Sequence, residues 1–492
     1  MLHEIGGTPT SIVTDSQIEE TVTQFFTNRM KTQQIKNVLL IPPDYTRYHS
    51  HSGVITRIVT DFLLQHNISF TILPALGTHA PMTATQIRSM FGDTLADMTP
   101  SPFVVHDWRN NVTTIGVVPS PIIAKATNNI VTDLEYPAQI NNLCLDSKFD
   151  LVLSIGQVVP HEVTGMANYN KNLLVGAGGV DAINLSHYIG AIVGMETSMG
   201  RASNPLRDIL EYATNIFLNE KVKNLVYVLT VMNEGVMKGL YVGTDVECYT
   251  KAAELSRQLN VNLLDCEPLQ NVVVYLDETE YHSTWLGNKA IYRTRMAMAD
   301  NGHLTILAPG VIKFGEDEKV DALIRKYGYK GTPYILEQMK DNVELKENLS
   351  AVAHMIHGST EGRFRVTYCP KGNDAASQDA LTKSDIMNVG YDYGDLSTML
   401  EKYNIQELKN GWNVDPSSGE RFYFIRNPAV GLWAVRSRFE KVGETKLSSA
   451  TAQISSIADD SGDMSLIQQV ANDGSGGVGG WEKPPPSKIQ RT

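Results

Sequence analysis

Two histidines and a lysine, His161, Lys171 and His187, fall within one short segment broken by Gly165, Gly176, Gly178 and Gly179. The ordinary pKa of histidine, about 6.5, lets it serve as base or acid at neutral pH. A lysine can attach a cofactor covalently, and a histidine nitrogen can hold a metal. Upstream, Asp44-Tyr45-Thr46-Arg47 carries a carboxylate and a guanidinium, and Gly77-Thr78-His79 adds another histidine. Paired histidines suit a reaction that removes a proton on one side of a molecule and delivers one on the other. A guanidinium suits a planar carboxylate, which it grips through two parallel hydrogen bonds. Together these residues point to a small acid with an exchangeable stereocentre. Singly they have plainer readings: a helix cap for the Asp-Tyr-Thr-Arg turn, a surface charge for Lys171, a helix-end residue for His187, a solvated or structural role for a loop histidine. That plainer role is assigned to His49, His51 and His106.

Each group follows an apolar run. Residues 38–41, 70–73 and 151–155 read as buried strands. Open α/β sheets place ligands just beyond the carboxyl ends of their strands, so three neighbouring strand ends would bring Asp44, Arg47, His79 and His161 to one crevice. Helical periodicity at 18–30, 54–63 and 83–90 alternates with these runs, which predicts a largely parallel sheet covered on both faces. A second series follows, with strands at 272–275, 304–307, 364–368 and 421–425 and helices at 288–299 and 318–327. The fold class expected is α/β: two α/β domains with largely parallel sheets and a cleft between them, one over 1–267 and one over 268–446. The tail, 447–492, is rich in Ser, Asp and Gly, ends near Pro484-Pro485-Pro486, and is expected to be disordered.

The chain has 492 residues, a formal net charge of −12 and a pI near 5.5. That length exceeds one ordinary core, and the charge excludes a nucleic-acid surface, which needs a basic face. Cys144, Cys248, Cys266 and Cys369 lie far apart with no Cys-x-x-Cys pair, so neither a disulfide framework nor a thiolate zinc site is expected. No window approaches 18 uninterrupted apolar residues and no basic-then-apolar leader opens the chain, which predicts a soluble, cytoplasmic protein with no membrane partner.

The three motifs in this order resemble those of the nickel-dependent lactate racemase family: Asp-x-Thr-Arg, Gly-x-His, and a histidine followed ten residues later by a lysine and sixteen after that by a second histidine. The resemblance extends from about residue 36 to 440. It implies a nickel pincer nucleotide, a pyridinium mononucleotide tethered to Lys171 through a thioamide, with His187 as the protein's metal ligand. It gives His79 and His161 paired acid/base roles, places Arg47 on the substrate carboxylate with Asp44 in support, and implies loading by cofactor-synthesis enzymes. The reaction implied is inversion at C2 of a 2-hydroxy acid. Removing that hydrogen as a hydride avoids a carbanion too unstable for histidine to generate, and the planar 2-keto acid can then be reduced on its other face.

Beyond residue 267 the pattern departs from the family's Tyr-Gln-x-x-Lys block, and two registers stay open. One keeps a lysine at Lys289; the other keeps Tyr292 and puts Arg293 where glutamine would stand. His354, His357 and Glu361 form a further polar cluster, and Asn168-Tyr169-Asn170 occupies a turn where the family more often has glycines. So many hydrogen-bonding groups, with a resemblance over residues 293–329 to aldonate or mannonate epimerases, favour a sugar acid such as gluconate or mannonate. Lactate or malate is the alternative within the family. A hydrolase with His79, His161 and His187 as metal ligands, and a non-catalytic sugar-acid binding protein, are the alternatives outside it.

Overall fold

The computed structural model describes residues 2–372 and 380–440; the tail expected to be disordered lies outside them. Ten strands occupy the first part of the chain: β1 (His3–Gly6), β2 (Asn37–Ile41), β3 (Ser69–Ile72), β4 (Val112–Val118), β5 (Tyr136–Asn141), β6 (Leu151–Gln157), β7 (Pro160–His161), β8 (Gly165–Met166), β9 (Leu225–Asn233) and β10 (Val236–Gly243). Six of them form one sheet in the order β1-β10-β9-β6-β2-β3. Its centre is parallel, from β9 through β6 and β2 to β3, and its β1-β10 edge is antiparallel. Alternation along β2 sends Leu39 and Ile41 into one core and Val38 and Leu40 into another. A strand buried on both faces has to be apolar throughout, which is why 38–41 and 151–155 read as unbroken runs. Each such side chain contributes roughly 1.5–3 kcal/mol by leaving water. The helices Asp15–Met30 and Ser52–Gln65 cover the Val38 face, as their periodicity predicts.

The second part carries β11 (Val261–Leu264), β12 (Leu269–Tyr275), β13 (Met298–Ala308), β14 (Arg365–Pro370), β15 (Asp392–Tyr393), β16 (Gly411–Val414), β17 (Arg421–Ile425) and β18 (Leu432–Val435). Its six-stranded sheet runs β15-β14-β13-β12-β17-β16 and is parallel except at β16. The helix Glu318–Tyr327 lies where the sequence puts it. A continuous helix over 288–299 does not form. Two short turns, Thr284–Gly287 and Lys289–Tyr292, end at Arg293. The Arg293 and Met296 carbonyls there accept from the Trp433 and Val435 amides of β18 instead of continuing a helical ladder. Phe103 adds a single bridge to Ile72 at the β3 end of the first sheet.

Residues 1–439 make one compact unit. β11 pairs in parallel with β18, and Met195, Met199, Val261, Tyr292, Met296, Leu432, Ala434 and Phe439 share one apolar cluster. The helix Leu349–His357 packs along the helix Val180–Ile192, which carries His187.

Candidate functional site

β6, β2 and β3 are adjacent and parallel, so the groups that follow them emerge at neighbouring carboxyl ends. An isolated bridge from Pro43 to Ala75 carries the β2-β3 pairing one step further, and Asp44 follows directly. Asp44 is buried, and its Oδ2 lies 2.7 Å from Nδ1 of His79. Its Oδ1 accepts from the Thr46 hydroxyl at 2.5 Å. Burial alone would raise the Asp44 carboxyl; the His79 ring, the Thr46 hydroxyl and the Arg47 guanidinium hold it below its ordinary value. An ionised carboxylate can only accept, so Nδ1 of His79 is the donor, and in the neutral ring Nε2 carries the lone pair. More than half of the His79 side chain, 57%, is exposed.

His161 has the opposite arrangement. Its Nδ1 accepts from the backbone N–H of Val163 at 3.1 Å, so the neutral ring carries its proton on Nε2. Burial, reinforced by the nearby Lys171 and Arg47 charges and opposed by Glu162, lowers its pKa well below the ordinary value. The turn between β7 and β8 that fixes this geometry rests on the His187 helix. A Cβ on Gly190 would come within 2.9 Å of the Val163 carbonyl, so the contact needs glycine there.

Lys171 opens a π-helical turn, Asn172–Gly176, of the kind often found at functional sites. Asn172 anchors that turn to both strand ends by donating to the Ile41 carbonyl and the Ser154 hydroxyl, each at 3.0 Å. The preceding turn holds Asn168 and Tyr169 at φ of 60° and 59°, the left-handed region that glycine adopts at little cost. Here the Tyr169 ring stacks on Tyr249 with centroids 5.0 Å apart, and Arg207 donates to the Met166 carbonyl at 2.7 Å and to the Asn170 side chain. Gly156 admits Asn168, whose Nδ2 would lie 1.7 Å from a Cβ at that position. Burial and the Arg47 charge push the Lys171 amine down to about 8, so a useful fraction is neutral and nucleophilic near physiological pH. His187 donates from Nδ1 to the Ile183 carbonyl at 2.7 Å, which frees Nε2 as a ligand atom.

From the segment between β12 and β13 come both candidate cations. Lys289 and Arg293 each feel the Arg47 and Glu162 charges, so the two registers left open by the sequence converge on one site. Arg293 is 5% exposed, and its Nη1 donates weakly to the Gly431 carbonyl at 3.5 Å. Arg295, on the same segment, is equally buried and instead binds Glu196 at 3.2 Å. Sequence reasoning missed Glu162 as a site residue. Burial would raise its carboxyl, but the adjoining His161 ring and the Arg293 and Arg47 guanidiniums keep it well below the ordinary range. A carboxylate directly after a candidate histidine was the available signal. His106 is structural: its Nε2 donates to the Gly178 carbonyl and its Nδ1 accepts from Asn141. Among the described residues no three His, Cys, Asp or Glu side chains gather closely enough to hold a metal alone, so the three-histidine ligand set of a hydrolase is not assembled.

Residues 9–200 match the lactate racemase N-terminal domain. That match spans about two fifths of the chain and takes in Asp44, Arg47, His79, His161, Lys171 and His187. Over 287 residues it is 26% identical to a curated lactate racemase from Thermoanaerobacterium thermosaccharolyticum, a match covering 56% of this chain and 60% of that protein. The fold is similar to the crystal structure of a Thermotoga maritima protein, with a TM-score of 0.69 at 23% identity, covering 88% of this chain and 100% of that one. It is also similar to the lactate racemase apoprotein of T. thermosaccharolyticum, with a TM-score of 0.62 at 18% identity over 85% and 92% of the two chains. The likeness to these two structures is one of fold, a mixed α/β architecture with parallel-rich sheets.

Proposed function

We propose that the protein is an isomerase that inverts C2 of a 2-hydroxy acid, most suitably a sugar acid of the gluconate/mannonate type. The observation that carries this reading is the opposed protonation of two histidines beside a nucleophilic lysine: His79 offers a bare Nε2, and His161 offers Nε2–H. The family's nickel pincer nucleotide fits the donor set. Lys171 would hold it covalently and His187 would give the protein's one metal bond, so no cluster of protein ligands is needed. When bound, that group supplies reversible hydride transfer at C2.

The chain's own residues manage the charge and the protons. Arg47, with Lys289, would hold the substrate carboxylate, and Arg293 would meet the substrate's other polar groups. His79 takes the hydroxyl proton at Nε2, and the Asp44 carboxylate stabilises the resulting imidazolium through Nδ1–H. His161 faces the oxygen as a hydrogen-bond donor. It becomes an equivalent base only by moving its proton to Nδ1 and giving up the Val163 bond. Lactate is the second reading, favoured by the name of the curated relative.

The test is a screen of lactate, malate, gluconate and mannonate for C2 inversion by enzyme produced with the cofactor-synthesis enzymes. We expect inversion of the aldonic acids, and its loss in His79→Ala and in His161→Ala with the fold intact. Unchanged epimerisation by either variant would sink the acid/base roles, and turnover of lactate alone would replace the sugar acid.

A further inference from the structure

Glu162 is the first turn residue of the β7–β8 hairpin, whose tip packs on the His187 helix at Gly190. From the second sheet and its helices, Lys289, Arg293 and His357 lie within the field of its charge. The Glu162 side chain is only partly accessible. Among the described residues no side chain hydrogen-bonds its carboxylate. Its own backbone N–H is the hydrogen bond it receives, whereas Nε of Arg293 and Nε2 of His357 are buried without a partner, on residues 5% and 6% exposed. Burial keeps the His357 ring neutral, with a pKa lowered to about 3. Orphaned buried polar atoms are costly, and a ligand that meets them relieves the cost. The three groups offer a fixed anionic acceptor, a cationic donor, and a neutral ring nitrogen able to take either part. Hydroxyl groups, each donor and acceptor at once, match all three. A second carboxylate matches poorly, because Glu162 repels it.

We propose that Glu162, with Arg293 and His357, forms the subsite for the hydroxylated chain of the substrate, and that Glu162 makes the site prefer a polyhydroxy monocarboxylate to a short or dicarboxylic 2-hydroxy acid. This rests on the reading of the site as one for 2-hydroxy acids. Glu162 acting merely as a counter-ion to Arg293 and Lys289 makes a different prediction, since neutralising it would then change the binding of all monocarboxylates alike.

The experiment is calorimetric titration of gluconate, lactate and malate into the full-length wild-type protein and the Glu162→Gln variant. Gluconate and lactate carry the same charge and differ in hydroxyls. We expect Glu162→Gln to weaken gluconate about tenfold relative to lactate, the loss of one charge-assisted hydrogen bond, and to strengthen malate relative to lactate. An unchanged gluconate-to-lactate ratio overturns the proposal, as does wild-type protein that binds gluconate no better than lactate. If Glu162→Gln does not fold, His357→Ala carries the same comparison, with gluconate again weakened relative to lactate. Should the ratio shift while cofactor-loaded enzyme inverts no 2-hydroxy acid, the isomerase reading falls and the subsite stands.

Discussion

The two histidines expected to act as a matched pair are held in opposite tautomers, and the difference comes from their partners: a carboxylate on Nδ1 of His79, a backbone N–H on Nδ1 of His161. Asp44→Asn is therefore expected to lower kcat by about 10²–10⁴ while changing KM little, because the amide can neither fix the Nδ1–H tautomer nor stabilise the imidazolium. Steady-state kinetics on loaded enzyme checks it, and a change confined to KM would assign Asp44 to substrate binding instead. Lys171 permits a test without turnover. In protein made without cofactor synthesis, acylation of Lys171 followed by peptide mass spectrometry should show a midpoint near pH 8, reactivity rising with pH as the amine loses its proton, whereas surface lysines should titrate near about 10.4. Arg47→Gln should move the Lys171 midpoint upward, since that guanidinium helps depress it. The residues legible in the sequence were those set in spaced motifs: Asp44, Arg47, His79, His161, Lys171 and His187. Glu162 stood in the same stretch and was passed over, because its significance depends on Arg293 and His357, which only the packing of distant elements brings to it.

At the scale of elements, the parallel strands could be read because burial on both faces forces an unbroken apolar run, as in 38–41 and 151–155. β10 escaped notice; it is antiparallel, lies one strand from the sheet edge and is interrupted by Gly239. The failed helix over 288–299 has an apolar pattern compatible with either structure, and β18 decides the outcome by claiming its carbonyls. The turn before Lys171 was the least predictable element, because Asn168 and Tyr169 hold a left-handed backbone, which favours glycine, by means of distant partners. Among these is Glu211, whose Oε1 accepts from Asn170 at 2.8 Å. Burial pushes its carboxyl up to about 7 against the opposing pull of Arg207, and Asp208, Tyr169, Tyr227 and Tyr249 also face it. Unfolded, the same group titrates near about 4.3. Between those values the folded state binds the extra proton, so stability falls as pH rises from about 4.3 to about 7 and stays reduced above it. Glu211→Gln keeps the acceptor and removes the charge. It should flatten that slope and raise stability at pH 8 by on the order of 2 kcal/mol, read from urea unfolding at pH 5 and pH 8. A variant with the wild-type slope would clear Glu211 of any part in it.

At the scale of the molecule, the division proposed here at residue 267 is crossed again after both sheets are complete. β18 returns to pair with β11, Phe439 accepts from Arg201 at 2.7 Å, and Glu196 receives both Arg295 and Arg363 from the second part. A fragment of residues 1–267 would keep His79, His161, Lys171 and His187. It would lose Lys289, Arg293 and His357, leave β11 without its partner strand, and expose Met195, Met199 and Val261 to water. Uncovering three such side chains costs roughly 5–9 kcal/mol, comparable with the whole stability of many domains. The intact chain should therefore unfold in one transition when followed by far-UV circular dichroism and by tryptophan fluorescence, and the 1–267 fragment should unfold at a much lower urea concentration. Glu196→Ala, which strands the buried Arg295 guanidinium, should shift the intact protein part of the way, by roughly 1–3 kcal/mol after allowance for the partial exposure of Glu196. Equal midpoints for fragment and intact chain would mean that the first part carries its stability alone, and that the second serves only to complete the site. A lower midpoint joined to a loss of gluconate binding would instead make the same seam responsible for both the fold and the enclosure of the substrate.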